Sequence, residues 1–214
     1  MNDISIISGA KDLFEKSRAK ELLNKIDSDP EIQKILLTHS CVSAGLAWIP
    51  LPTAGPVICL FNIYSMYVRI NNQIGIKLSK NAIKSIAGMI AANLTGFAAL
   101  FVGTVASEAL KFIPGIGTIA GAALEAVIFY SLTAVQGKLY CEWLRKIDKK
   151  TIINEEGDID ENLSKSTVEE IFSDKNRIQK IIDEEKQKAK STNLKKYKNE
   201  AKELLKKYKQ SNDN

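Results

Sequence analysis

The middle of the sequence contains a long, nearly uncharged segment, SIAGMIAANLTGFAALFVGTVASEALKFIPGIGTIAGAALEAVIFYSLTAVQG, residues 85–137. Only three of these residues are charged: Glu108 and Lys111 separate two apolar halves, and Glu125 lies within the second half. Between the halves lies the segment 112–117, which predicts a sharp turn because proline cannot continue a helix and glycine relieves the backbone. We therefore expect two apolar helices that fold back on each other as a hairpin. The predicted tip of the hairpin consists of Phe112, Pro114, Gly115 and Gly117.

Small residues recur at helical spacing along both predicted arms of the hairpin. A stripe of small side chains lets the backbone of another helix approach closely. We therefore expect the two arms to press their small faces together just behind the tip. The predicted helix-packing residues are Gly88, Ala92, Gly96, Gly103 and Gly121.

The predicted hairpin can be buried either in a bilayer or in a protein core. At about 1.5 Å per residue, the first arm spans roughly 35 Å, which is enough to cross a hydrocarbon layer of about 30 Å. Lysine and arginine gather at the open end of the hairpin, while only Lys111 lies beside the tip. This asymmetry is typical of a hairpin whose two ends face the cytoplasm. However, a central helix pair in a soluble bundle is also apolar all round, so that alternative stays open.

Glu125 is the charge that distinguishes these two environments. In a bilayer it would be an intramembrane charge, which is costly unless it is paired or faces a water-filled cavity. In a soluble bundle it would reach a partner or the solvent.

Composition divides the chain into three regions. Residues 1–40 mix charged and apolar positions, as expected for an amphipathic helical region that docks through one face. Residues 41–150 form an apolar helical core that contains the hairpin, and residues 151–214 begin as an acidic linker and continue as Lys/Glu-rich helices. The C-terminal region has too few apolar residues for a core of its own, so it should lean on the body. The predicted fold class is all-α, with apolar hairpins in a bundle or a membrane-inserted core and charged amphipathic helices at both ends.

Local signals predict where several helices begin. A capping side chain directly before Pro30 predicts a helix over about 30–48. The prolines of segment 49–56 separate it from a helix over about 57–74, and Ser79 predicts the N-cap of the next helix. Ser166-Thr167-Val168-Glu169 matches a capping box and predicts another helix start.

The chain carries a net charge of +5, and the last 29 residues are locally basic, with ten lysines against three acidic residues. Such a patch suits anionic lipid or nucleic acid, although a solvated helix surface also explains it. Few aromatic residues interleave with the lysines, so nucleic acid is an unfavoured partner. The predicted contacts to an anionic surface are Lys195, Lys196, Lys206 and Lys207.

The sequence offers no catalytic constellation. It contains neither a phosphate-binding loop nor a dinucleotide fingerprint, and His39 is the only histidine. Cys41 lies two positions further on, and residues two apart on a helix face different ways, so a polar histidine near a helix end is favoured over a thiol–imidazole pair. The three cysteines lie in apolar surroundings, which favours small buried hydrophobes over disulfides. We predict a non-enzymatic protein without catalytic residues, metal or cofactor.

Three helix junctions carry a family resemblance: Ile49-Pro50-Leu51-Pro52, Ile74-Gly75-Ile76 with Leu78-Ser79, and the segment from Phe112 to Ala122. In these junctions the span of about 46–143 resembles the domain of unknown function found in the bacterial inner-membrane protein YcjF and at the C-terminal end of many Era-like GTPases. The resemblance implies an all-helical, membrane-associated module that works beside a GTPase. The residues at hand contain no GTPase domain, so a nucleotide-driven role would need a separate GTPase partner.

The leading hypothesis is a membrane-associated helical protein whose hairpin 85–137 inserts into the bilayer, acting as an anchor or effector for a GTPase or a membrane-remodelling partner. The first residues lack the uninterrupted apolar run of a secretory signal, so the expected location is the cytoplasmic face of the bacterial inner membrane. One alternative is a cytoplasmic, soluble oligomerisation or adaptor module, which includes association between copies of the chain. Another is a pore-forming protein that keeps its hairpin buried until it meets a membrane.

Overall fold

The computed structural model describes residues 21, 23–49, 54–97, 117–147 and 157–212. Within these ranges the fold is helical and contains no β-strand, so the all-α prediction is confirmed. The elements are α1 (Pro30–Leu46), α2 (Ala54–Ile74), α3 (Lys80–Thr95), α4 (Gly117–Ile147), α5 (Glu161–Phe172), α6 (Lys175–Ser191), a 3-10 helix (Leu194–Tyr197) and α7 (Lys198–Asn212).

Two of the predicted helix starts are confirmed. The Asp29 carboxylate accepts the backbone N–H of Ile32 at 2.9 Å, with Pro30 as the first residue of α1. The Ser79 hydroxyl oxygen accepts the N–H of Ala82 at 3.1 Å and begins α3. In each case the cap satisfies a donor that has no partner within the helix.

The predicted start at Ser166 is wrong, because α5 begins five residues earlier, at Glu161. The Asp160 carboxylate caps α5 by accepting the N–H of Leu163 at 2.9 Å. Thr167 lies inside the helix, where its hydroxyl donates to the Leu163 carbonyl at 2.7 Å. A threonine in mid-helix can satisfy its hydroxyl in this way, so the capping-box pattern alone does not mark a helix end.

Helices α1, α2 and α4 form the centre of the bundle, and they meet at Gly137. A methyl group at this position would collide with the Leu36 side chain of α1 and lie 3.0 Å from the Met66 side chain of α2. The absence of a side chain at Gly137 therefore sets how closely the three helices approach. Helix α1 is continuous across residues 40 and 41, so the predicted boundary between an N-terminal region and a core falls inside one helix.

Large aromatic side chains fill the core between α2 and α4. Tyr67, Tyr140 and Trp143 are fully buried, and the rings of the two tyrosines stack with centroids 3.8 Å apart. The Tyr67 hydroxyl donates to Gln136 Oε1 at 3.0 Å, and the Tyr140 hydroxyl donates to Asn71 Oδ1 at 2.7 Å. These hydrogen bonds compensate the burial of the two hydroxyls and align the helices.

The C-terminal helices pack on this centre, as the sequence predicted. Arg177 of α6 donates to the Glu142 carboxylate of α4 at 2.7 Å, and the Tyr208 ring of α7 packs edge-on against Phe61 at 5.6 Å. Buried aliphatic residues such as Ile178 and Ile182 line the inner face of α6. Charged residues on their outer faces explain why these helices looked too polar to form a core.

The structure describes only part of the predicted hairpin. Residues 85–95 are the end of α3 and Gly117 begins α4, so both outer parts of the hairpin are helical. Phe112, Pro114, Gly115 and Gly103 lie outside the described residues. Across the ranges that are described, no helix combines the length and the apolar character that a membrane span requires.

Candidate functional site

One end of the bundle carries few charges, and we call it the apolar end. It consists of residues 46–49, at the end of α1 and just after it, and of residues 54–64 and 117–130, which begin α2 and α4. These segments are neighbours, because a methyl group at Gly55 would lie 3.5 Å from the Phe129 ring and 3.8 Å from Glu125 Oε1. Within these three segments Glu125 is the one charged residue.

Aliphatic side chains are exposed at the apolar end. Val57 is 48% and Leu60 is 53% exposed, while their neighbours Ile58, Cys59 and Ile63 are buried. Residues three apart lie on one face of a helix, so Val57 and Leu60 form a single apolar patch on α2. A solvent-exposed aliphatic pair of this kind is available for contact with another apolar surface.

Basic side chains lie next to this end. The 3-10 helix reaches it because the Tyr197 backbone carbonyl fits against Gly45, where a methyl group would collide with it. The Lys195 ammonium lies 5.6 Å from the centre of the Trp48 ring, and the Lys196 ammonium lies 4.9 Å from the Tyr197 ring. The structure therefore places two of the predicted lysines beside aromatic rings, at the end of the bundle where α1 ends.

The other two predicted lysines lie further along the C-terminal helix. Lys206 and Lys207 are exposed on α7, and the Lys206 ammonium pairs with the Glu203 carboxylate at 2.7 Å. Because that pair offsets one charge, Lys195 and Lys196 are the better candidates for an anionic contact.

Glu125 is exposed on the surface of α4. Its side chain therefore does not need a buried partner in this structure. We expected this arrangement if the hairpin is buried in a protein core rather than in a bilayer.

The predicted helix-packing role of the small residues stays a prediction, because Gly103 and much of the first arm lie outside the described residues. Gly88, Ala92, Gly96 and Gly121 are all exposed, and no described neighbour lies within 4 Å of a methyl group at Gly88 or Gly121. The close approaches occur instead at Gly45 and Gly137. Sequence spacing identified a small-residue face, but larger neighbouring residues such as Ile86 and Ile90 are the ones that α3 buries.

Sequence reasoning missed a polar network between α1 and α2. His39 Nδ1 lies 2.8 Å from Asn62 Oδ1, and Asn62 Nδ2 donates to the His39 carbonyl and to Ser43 Oγ, each at 2.8 Å. Asn62 itself is buried. The spacing of His39 and Ser43, four residues apart in an apolar helix, was the signal that could have predicted a shared polar face.

His39 lies in the middle of α1 and is buried, so its predicted position near a helix end is wrong. Its Nε2 atom lies 3.4 Å from the Arg69 guanidinium. Burial and, to a smaller extent, this positive neighbour hold the pKa of His39 below its usual value, although the Asn62 hydrogen bond opposes them. A neutral imidazole is the form that fits both contacts.

The cysteines are buried and free, as predicted. Burial raises the pKa of Cys41, Cys59 and Cys141, so the thiols stay protonated and poorly nucleophilic at neutral pH. Cys41 faces Tyr197 of the 3-10 helix rather than His39. Among the described residues, no cluster of His, Cys, Asp and Glu has the composition of a metal site.

No known family model matches this chain. No curated protein and no solved structure matches it either. The resemblance to the YcjF-type domain therefore stays a prediction.

What the apolar end can do follows from its chemistry. Tryptophan and lysine side chains suit the boundary between water and an apolar phase, because each joins an apolar body to a polar tip. Exposed aliphatic residues at the same end of the bundle can enter the apolar phase while the lysines stay at its polar edge.

Proposed function

We propose that this protein is a non-enzymatic, membrane-associated helical protein that meets anionic membranes with its apolar end. The observation that carries the proposal is the contact of Lys195 with Trp48 at the same end of the bundle that exposes Val57 and Leu60. Tryptophan prefers the headgroup level of a membrane, and lysine reaches out to the lipid phosphates.

The free-energy contributions of these side chains favour a weak, reversible association of the protein with the membrane. Burying the exposed halves of Val57 and Leu60 contributes about 1 kcal/mol each. Each of the two lysines adds about 1 kcal/mol near an anionic surface. The sum of about 4 kcal/mol sets an upper bound on the affinity, at a dissociation constant of about 1 mM, because the cost of association and the negative charge of Glu125 oppose binding. The predicted hairpin tip ends at Gly117, where the third segment of the apolar end begins, and its apolar residues would strengthen this contact.

Co-sedimentation of the purified full chain with lipid vesicles tests this proposal. We expect binding to vesicles that contain phosphatidylglycerol, weaker binding to neutral vesicles, and a decrease with added salt. Replacing Val57 and Leu60 together by Glu should abolish binding, and replacing Lys195 and Lys196 by Glu should weaken it at least 10-fold.

Matched control variants are available elsewhere on the surface. Leu163 on α5 is also an exposed leucine, and Lys175 on α6 is an exposed lysine outside the apolar end. Leu163→Glu and Lys175→Glu should bind vesicles like the unaltered protein. An equal loss of vesicle binding in the control and apolar-end variants would contradict the proposal. A protein that binds neither anionic nor neutral vesicles would contradict it as well. Dye leakage from the vesicles would favour the pore-forming alternative.

A second candidate function is an oligomerisation module, and the exposed small residues of α3 favour it. Gly88 and Ala92 lie four residues apart and leave room for a helix from a second copy. This function predicts a dimer or larger species without lipid or detergent that Ala92→Lys returns to a monomer. Light scattering after gel filtration would show a monomer in both proteins if the idea is wrong. A separate GTPase partner stays a prediction of the family resemblance.

A further inference from the structure

A cavity of about 200 Å³ opens between α1, α4 and α6. It lies on the side of the bundle and shares only Tyr130 with the residues of the apolar end. Since a water molecule in the liquid takes up about 30 Å³, the cavity has room for a small organic molecule. It is lined by Gln33, Leu36, Leu37, Ser40, Tyr130, Ala134, Lys138, Glu185 and Lys188.

A buried carboxylate lies in the wall of this cavity. Glu185 is only 3% exposed, and one of its oxygens, Oε1, accepts from Lys138 Nζ at 2.6 Å and from Lys188 Nζ at 2.8 Å. The two ammonium groups therefore converge on a single atom. They bring two positive charges to a wall that has one negative charge.

Both ammonium groups have N–H donors that the contact with Glu185 does not use. An ammonium carries three N–H groups, and the contact with Glu185 Oε1 uses one on each lysine. The side chains of Lys138 and Lys188 are 30% and 56% exposed, so they are accessible from the solvent. Among the charged lining residues the sum is +1, from two lysines and one glutamate.

The rest of the lining is complementary to a small amphiphile. Leu36, Leu37 and Ala134 supply an apolar wall, and Tyr130 supplies a hydroxyl. Ser40 donates its own hydrogen to the Leu36 carbonyl at 2.7 Å, so only its acceptor capacity remains. The surplus of positive charge next to an apolar wall selects for a negative head and a short apolar tail.

We propose that this cavity binds a small soluble organic anion, with its carboxylate or phosphate oxygens on Lys138 and Lys188 and its short carbon chain against Leu36 and Leu37. This site is separate from the apolar end, so it does not depend on the proposed membrane contact.

Titration calorimetry of the full chain with butyrate and with propyl phosphate tests the proposal, with butyramide as a neutral probe of the same shape as butyrate. We expect at least one of the two anions to bind and butyramide not to bind. Lys188→Ala should weaken binding of the anion at least 10-fold, because the substitution removes a charged donor and leaves Lys138 to pair with Glu185. Lys180→Ala, an exposed lysine on the same helix, is the matched control and should bind like the unaltered protein.

Glu185→Gln provides a second variant, in which the affinity for the anion should change in the opposite direction. It removes the competing negative charge, so the anion should bind more tightly. The absence of binding by both anions, equal binding of butyramide, or an unchanged affinity in Lys188→Ala would overturn the proposal. A lipid rather than a soluble anion would be the ligand if Lys188→Ala lost vesicle binding while neither free anion bound.

Discussion

His39 Nδ1 and Asn62 Oδ1 lie 2.8 Å apart inside the contact between α1 and α2. The amide nitrogen of Asn62 donates to two oxygens, so its carbonyl oxygen must be the atom that faces the imidazole. Nδ1 therefore carries the hydrogen and Nε2 is left as an acceptor towards Arg69. A second proton on this histidine would face a cation, and the pH response of the fold depends on that arrangement.

We expect the free energy of unfolding to fall as the pH drops below about 6.5, the ordinary pKa of histidine. Burial lowers the pKa of His39 in the folded state, so the unfolded chain binds the proton first. The stabilisation is thus complete above the unfolded pKa and is lost as the pH falls towards the folded pKa. Urea unfolding at pH 7.5 and at pH 5.5 measures the difference. His39→Gln should reduce the difference in the free energy of unfolding between the two pH values, since the chain has no other histidine. An equal difference in the variant would show that His39 is not its cause.

Asn62→Ala should destabilise the fold by about 2–4 kcal/mol. The substitution leaves the His39 imidazole and the Ser43 hydroxyl buried with fewer partners, and an unsatisfied buried polar group costs about 1–3 kcal/mol. Asn72→Ala is the matched control, because Asn72 is exposed on the same helix. Asn72→Ala should change the free energy of unfolding, measured by chemical denaturation, by no more than about 0.5 kcal/mol. Similar effects of the two substitutions would show that the network contributes little.

Gly137→Ala and Gly121→Ala should change stability in opposite directions, although both glycines belong to α4. A methyl group at Gly137 collides with Leu36, so we expect a loss of about 1–3 kcal/mol. Gly121 is exposed with no described neighbour, so alanine should add about 0.5–1 kcal/mol through its better helix propensity. Thermal unfolding compares the two. Two losses of similar size would mean that Gly121 packs closely after all.

Gly45→Ala should loosen the C-terminal helices rather than the central bundle. The Tyr197 carbonyl leaves no room for the new methyl group, and Ala201 of α7 lies 3.0 Å from it. Hydrogen exchange should rise in the 3-10 helix and in α7, with little change in α2 and α4. Gly96→Ala, at an exposed position, serves as the control. A uniform rise across the chain would instead indicate global destabilisation.

Features that depend on neighbours in the chain could be predicted from the sequence. Asp29 and Ser79 begin helices because the bonds that they make reach only three residues ahead. The burial of the cysteines was also predictable, since Cys41 and Cys59 lie in a long uncharged run and Cys141 has apolar neighbours in Leu139, Tyr140 and Trp143. The capping box at Ser166 failed because a stronger competitor, Asp160, lies a little earlier in the chain.

The residues of the candidate site were harder to predict. Lys195 and Lys196 were singled out by charge alone, and their contact with Trp48 depends on the close approach of Tyr197 to Gly45. Residues 48 and 195 are far apart in the chain, so no local pattern relates them. The same holds for the cavity around Glu185, which three helices enclose.

Local patterns in the sequence were enough to predict an all-α fold, the starts of several helices and an apolar middle region. The tertiary structure alone sets which side of each described helix is covered. It turned Gly88 and Gly121 outwards, placed Gly45 and Gly137 at the close contacts, and buried His39 with Asn62. The physical reason is that hydrogen bonds within a helix reach only a few residues, whereas the burial of a face depends on helices that meet across long sequence separations.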